Sequence, residues 1–104
     1  MKENFGLSVA SIKKLLSVFE KKSSIQKAII YGSRAIGNFR EGSDIDMTLF
    51  GESLVEKDLF VLLDEIDDLL LPYTLDLSIY HLLKNENLKD HIDRVGKVFY
   101  ERVG

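Results

Sequence analysis

Apolar residues recur every three or four positions between Ser8 and Lys21: Val9, Ile12, Leu15, Leu16 and Phe19, with Lys and Ser between them. That spacing predicts an amphipathic helix, and the Ser8 hydroxyl is placed to accept from an unpaired amide of its first turn. Lys21-Lys22-Ser23-Ser24 forms a polar connection. Ile25–Tyr31 follows as a first strand, with Ala28, Ile29, Ile30 and Tyr31 as a near-continuous buried run that Gly32 stops. Residues 34–38 suit one short helical turn starting at Ser33, and residues 38–43 a loop marked by Gly37 and Gly42. Asp44–Phe50 then alternates with the two-residue period of a strand. Ile45, Met47 and Leu49 form one face, and Asp44, Asp46 and Thr48 the other.

Ser53-Leu54-Val55-Glu56 has the spacing of a capping box, so a second long helix is expected to start there. It runs to about Leu70, because Pro72 disfavours helical geometry in the residue before it. Leu59, Leu62, Leu63, Ile66, Leu69 and Leu70 form its core stripe. Phe60 and Val61 widen the apolar surface beyond that stripe. Deeper burial in the domain is the simpler account, and a subunit contact the other.

Residues 74–80 alternate again, Leu75, Leu77 and Ile79 against Thr74, Asp76, Ser78 and Tyr80. Residues 84–95 read as a last helix with Leu88, Ile92 and Val95 inward, and Gly96 is placed to end it in a left-handed conformation. Lys97–Glu101 reads either as a short edge strand, with Val98 and Tyr100 opposite Phe99, or as a continuation of the helix. Helices alternating with strands predict an α+β fold, a sheet with helices packed on its apolar face. The polar face, with three acids, is then left open.

Composition narrows the class. The 104 residues suit a single domain spanning 1–104, with 45% hydrophobic and 30% charged content typical of a soluble globular chain. No apolar run approaches the ~18–20 residues of a membrane span. Met1–Ala10 lacks the layout of a secretory signal, so a cytoplasmic location is the default expectation. With no Cys, disulfides and thiolate metal sites are excluded. A net charge of −3 weighs against a broad nucleic-acid surface, which needs many Lys and Arg contacts to phosphate.

The chemistry concentrates between Gly32 and Asp46. An apolar strand ending in Gly32-Ser33 exposes backbone N–H groups beside a hydroxyl, a setting suited to phosphate. Asp44 and Asp46 lie two apart on a strand and project to one side, where paired carboxylates can hold Mg²⁺. Asp76 on a neighbouring strand either joins them or merely keeps its strand face soluble. Two metals ~3.5–4 Å apart can stabilise both the attacking and the leaving oxygen of a nucleotidyl transfer.

Gly32-Ser33, ten residues, then Asp44-Ile45-Asp46-Met47, with Leu75-Asp76-Leu77 later, resembles the DNA polymerase beta-like nucleotidyltransferases, specifically the minimal nucleotidyltransferase (MNT) domains. The resemblance spans about residues 25–100. It implies a mixed sheet, Mg²⁺ (Mn²⁺ substituting) and transfer of a nucleoside monophosphate from an NTP, with ATP and AMP the expected pair. Gly32, Ser33, Arg34 and Ser43 would contact the nucleotide, and Asp44, Asp46 and Asp76 would be catalytic metal ligands. Ile36 stands where many members carry a basic residue.

Stand-alone MNT proteins often work with a separate helical partner of the HEPN type, as an antitoxin–toxin pair. The resemblance therefore implies a homo- or hetero-oligomer in which the transferase modifies its partner with AMP. The alternative is a non-catalytic nucleotide-binding module that neutralises the partner by contact. Other motifs fail on their neighbours. Asp44-Ile45-Asp46-Met47-Thr48 matches haloacid-dehalogenase-like phosphatases, but Arg40-Glu41-Gly42-Ser43 precedes it where an apolar strand belongs. The Gly32 loop lacks the Gly-Lys-Ser/Thr of a P-loop. His81 and His91 are not spaced as a metal pair and read as surface or boundary residues.

Overall fold

A parallel strand pair needs a crossover, and here one helix supplies it. β2 (Ile45–Phe50) leaves the sheet, passes through α3 (Glu56–Asp67) and returns parallel to itself as β3 (Leu75–Ile79). β1 (Lys27–Tyr31) pairs antiparallel with β2 on one side and with β4 (Lys97–Glu101) on the other, giving a mixed sheet ordered β3-β2-β1-β4. The computed structural model describes residues 4–103. Within them no helix is long and apolar enough to cross a membrane.

α1 (Val9–Lys21) begins where the sequence predicts, with the Ser8 hydroxyl accepting from the Ser11 amide at 3.1 Å. α1 and α3 cover one face of the sheet. Leu15 and Phe19 of α1, Leu62 and Ile66 of α3, and Ile30, Ile45, Met47 and Leu49 of the strands bury together as the main core. Each such Leu or Ile contributes ~1.5–3 kcal/mol by leaving water. The α+β class and mixed sheet are those expected.

α4 (Glu86–Val95) departs from the one-face arrangement. Its Ile92 buries against Ile29 and Tyr31, on the opposite face of β1, with Leu88, Val95 and Tyr80 around them. The reason is visible in β1 itself. A strand apolar on both sides must be covered on both sides, and Ile29 and Tyr31 face away from α1 and α3. The acid-bearing face is therefore roofed at β1 and buried at Thr48, while Asp44 and Asp76 remain exposed beside it.

Three local expectations are also corrected. α3 starts at Glu56 rather than at Ser53, with Val55 as its N-cap. Leu54 is buried as part of a turn closed by its amide on the Gly51 carbonyl, and Asp58, not Glu56, reaches back to the Val55 amide at 2.9 Å. Phe60 and Val61 are exposed rather than buried, since the core stripe of α3 is complete without them. Gly96 is extended, φ −63°, not left-handed. Glycine serves packing there, because a Cβ would sit 2.6 Å from Ile29 Cγ2.

Candidate active site

β1 ends at Tyr31, and Gly32 takes φ 73°, a conformation open to glycine and costly for other residues. Its carbonyl accepts from the Ala35 and Ile36 amides, both at 3.1 Å, which closes α2 (Ser33–Ile36) as a single turn. The leading amides of such a turn have no partner within it. A side chain at Gly32 would collide with the Asp46 carboxylate, so the Gly-Ser step and the acid share one small space.

Register assembles the acids. Asp46 lies directly opposite Tyr31 on β1 and directly opposite Asp76 on β3. Asp44 precedes β2 by one residue and is exposed, as is Asp76, while Asp46 is half-buried between its neighbours. Burial raises the Asp46 carboxyl above the usual carboxylate range, and the charges of Asp76 and then Asp44 push it the same way, with His91 opposing. The charges of Asp76 and Asp44 thus both act on Asp46, a repulsion that a divalent cation could relieve. The all-oxygen donor set fits a hard cation such as Mg²⁺. Among the described residues, no three acidic or histidine side chains are drawn together tightly enough to ligate a metal by themselves. Mg²⁺ usually combines one or two carboxylates with substrate phosphate oxygens and waters, a set that Asp46 and a neighbouring acid could begin.

Two neighbours of the acids were not singled out by the sequence. Tyr31 is buried, its ring meeting the His91 ring edge-on at 6.0 Å and 81°. Burial raises its hydroxyl pKa, as do Asp76 and Asp46, with the neighbouring Ser78 hydroxyl opposing. Ser78 donates to the buried Thr48 hydroxyl at 2.9 Å. These groups form a hydroxyl-bearing floor beside the acids. The signal for His91 was present: it lies three residues after Leu88 and beside Ile92, on the inward side of α4.

The Arg34 side chain turns into the fold. It is 2% exposed, and its guanidinium is held by carbonyls, Nη1 to Phe5 at 2.9 Å and Nε and Nη2 to Ser43 at 3.1 and 2.8 Å. The rings of Phe39 and Tyr73 lie 5.0 Å from it. The expected nucleotide contact from Arg34 is thus replaced by a strut, because a buried guanidinium must satisfy its donors within the fold. Ser43 serves the same strut through its carbonyl, and its hydroxyl accepts from the Arg40 amide at 2.8 Å. The structure thus brings Gly32 against Asp46 and Asp46 opposite Asp76, with Asp44 one residue before β2, while Arg34 and Ser43 brace the loop between them.

Comparison with known proteins agrees with this fold. The family model for "Polymerase beta, Nucleotidyltransferase" matches residues 13–103. Among solved structures, a chain of a toxin–antitoxin complex with AMP-PNP superposes with a TM-score of 0.71 at 18% identity, over 88% of this chain and 73% of that one. The complex of a tri-AMPylated Shewanella oneidensis HEPN toxin with its MNT antitoxin gives 0.66 at 16% identity, over 89% and 71%. The MntA–HepT toxin–antitoxin gives 0.67 at 15%, over 91% and 74%. At such identities the likeness is one of fold. Among curated proteins none matches. The matched span, the mixed sheet and the Gly-Ser-to-Asp-x-Asp spacing agree: this chain belongs to the polymerase beta nucleotidyltransferase family.

Proposed function

We propose that the chain transfers AMP from MgATP to a separate helical protein of the HEPN type. The observation that carries this reading is the direct pairing of Asp46 with Asp76, beside a glycine whose missing side chain leaves space against the Asp46 carboxylate. Transfer requires an acceptor oxygen to form a bond to the α-phosphorus while the bond to the departing pyrophosphate breaks. Bound Mg²⁺ would supply charge neutralisation to the triphosphate and to the leaving pyrophosphate.

The chain's own residues divide the remaining work. Gly32 lets the phosphates approach the backbone, and Ser33 adds a hydroxyl. Asp44 and Asp46 would hold the metal on the nucleotide side. Asp76, on the edge strand, serves the acceptor side. Tyr31, pressed between α4 and the sheet, closes the floor beneath Asp46. The toxin–antitoxin character of the structural neighbours supports a helical partner as acceptor.

Calorimetry tests the nucleotide half of this reading. ATP should bind in the presence of Mg²⁺ or Mn²⁺ and fail to bind in EDTA, since three acids would otherwise repel a triphosphate. Equal binding in EDTA removes the metal bridge from the account. Transfer of label from α-phosphate-labelled ATP to a co-expressed partner tests the other half. Binding without transfer would favour neutralisation by contact alone.

A further inference from the structure

The outer side of α3 and the turn that follows it are apolar and uncovered. Phe60 is 69% exposed and Leu70 86%. Leu70 also holds φ 54°, a left-handed backbone that leucine rarely adopts and that here turns its side chain into solvent. Such a conformation is retained where the surroundings or a function demand it. Between these two residues runs a groove of about 620 Å³, walled by Leu63 and Leu71 and edged by Asp64 and Asp67. Among the described residues, no basic one lines it. The segment from Glu56 to Asp68 carries six acids and one lysine, so the field over the groove is negative.

We propose that this groove docks an amphipathic helix of a partner protein, with its leucine-type side chains seated between Phe60 and Leu70 and its flanking Lys or Arg residues facing Asp64 and Asp67. Apolar anchors give such an interface its affinity, and opposed charges give it orientation. A second copy of this chain is a poor occupant, because the same acidic rim would meet itself across a two-fold axis. The groove ends at Thr74 and Leu75, adjoining Asp76 along the edge strand β3. A helix seated there flanks the strand that carries the acceptor-side acid. In that respect the inference rests on the proposed function, but the docking itself does not require transfer.

Two labelled helical peptides with one shared leucine stripe, flanked by Lys and Arg in one and by Glu in the other, serve as probes in fluorescence anisotropy. The basic peptide should bind at least about tenfold more tightly than the acidic one. Phe60→Asp and Leu70→Asp should each weaken it about tenfold or more, with melting temperature and MgATP binding held. Asp64→Lys with Asp67→Lys should reverse the preference. Equal binding of the two peptides, or no response to the charge reversal, overturns the proposal. So does concentration-dependent dimerisation in sedimentation that Phe60→Asp abolishes, since it assigns the groove to a second copy. Loss of MgATP binding by the wild type, with the peptide preference intact, would strike only the nucleotide reading.

Discussion

The guanidinium of Arg34 and the carbonyl of Ser43 are joined by two hydrogen bonds, at 3.1 and 2.8 Å, across the loop that separates the Gly-Ser turn from the acids. The turn and the start of β2 are thereby held as one body. Ser43 immediately precedes Asp44, so whatever fixes its carbonyl fixes the first carboxylate.

Arg34→Ala should lower stability by about 2–3 kcal/mol, because buried carbonyls of Ser43 and Phe5 lose a charged donor. Arg34→Lys should recover only part, since an ammonium cannot reproduce the planar fork. Urea unfolding measures both. If Arg34 were instead a phosphate ligand at the surface, ATP affinity would fall in the variants while stability stayed near wild type.

Replacing Gly32 tests the shared space. Gly32→Ala combines a positive φ with a clash against the Asp46 carboxylate, and should cost roughly 1 kcal/mol or more of stability. MgATP binding should fall with it, because Asp46 must move. Gly37→Ala also strains a positive φ, but its Cβ would meet nothing within 4 Å, so MgATP binding should survive. Calorimetry on the folded variants separates the two; equal loss of binding in both would remove the special role of Gly32.

Much of this was legible in the sequence. The alternation of Ile45, Met47 and Leu49 against Asp46 and Thr48 and that of Leu75 and Leu77 against Asp76 gave both strands and put the acids on one face. That Asp46 stands opposite Asp76 was not legible, since register between parallel strands is set by the crossover helix and the core it packs. Arg34 misled because a basic residue after Gly-Ser suits phosphate, and only the fold brings Phe5, Phe39 and Tyr73 around it. The placement of α4 was implicit in the unbroken apolar run of β1, which demands cover on both faces. Phe60 misled in the opposite sense: apolar residues at helical spacing signal contact, but not whether the contact lies within the chain.

Acid sensitivity should trace in part to the start of α3. The Val55 amide holds the Asp58 carboxyl below its ordinary range, with Lys22 at 3.2 Å acting the same way. A carboxyl lowered in the folded state stabilises the fold above its unfolded pKa, and that contribution is lost as pH falls through the folded value. Asp58→Ala should therefore melt below wild type at neutral pH, and the gap should close below the ordinary carboxylate range. A gap that is constant with pH would mean the side chain acts through packing, not charge.

Asp76→Asn tests the central claim most directly. Asn keeps the shape of Asp but removes the charge a hard cation needs. If Asp76 serves the acceptor side, the variant should keep most of its MgATP affinity, while transfer of labelled AMP to the partner falls on the order of 10²–10³-fold. Asp44→Asn and Asp46→Asn should weaken binding and transfer together. Undiminished transfer by Asp76→Asn would contradict the assignment of that acid to the reaction.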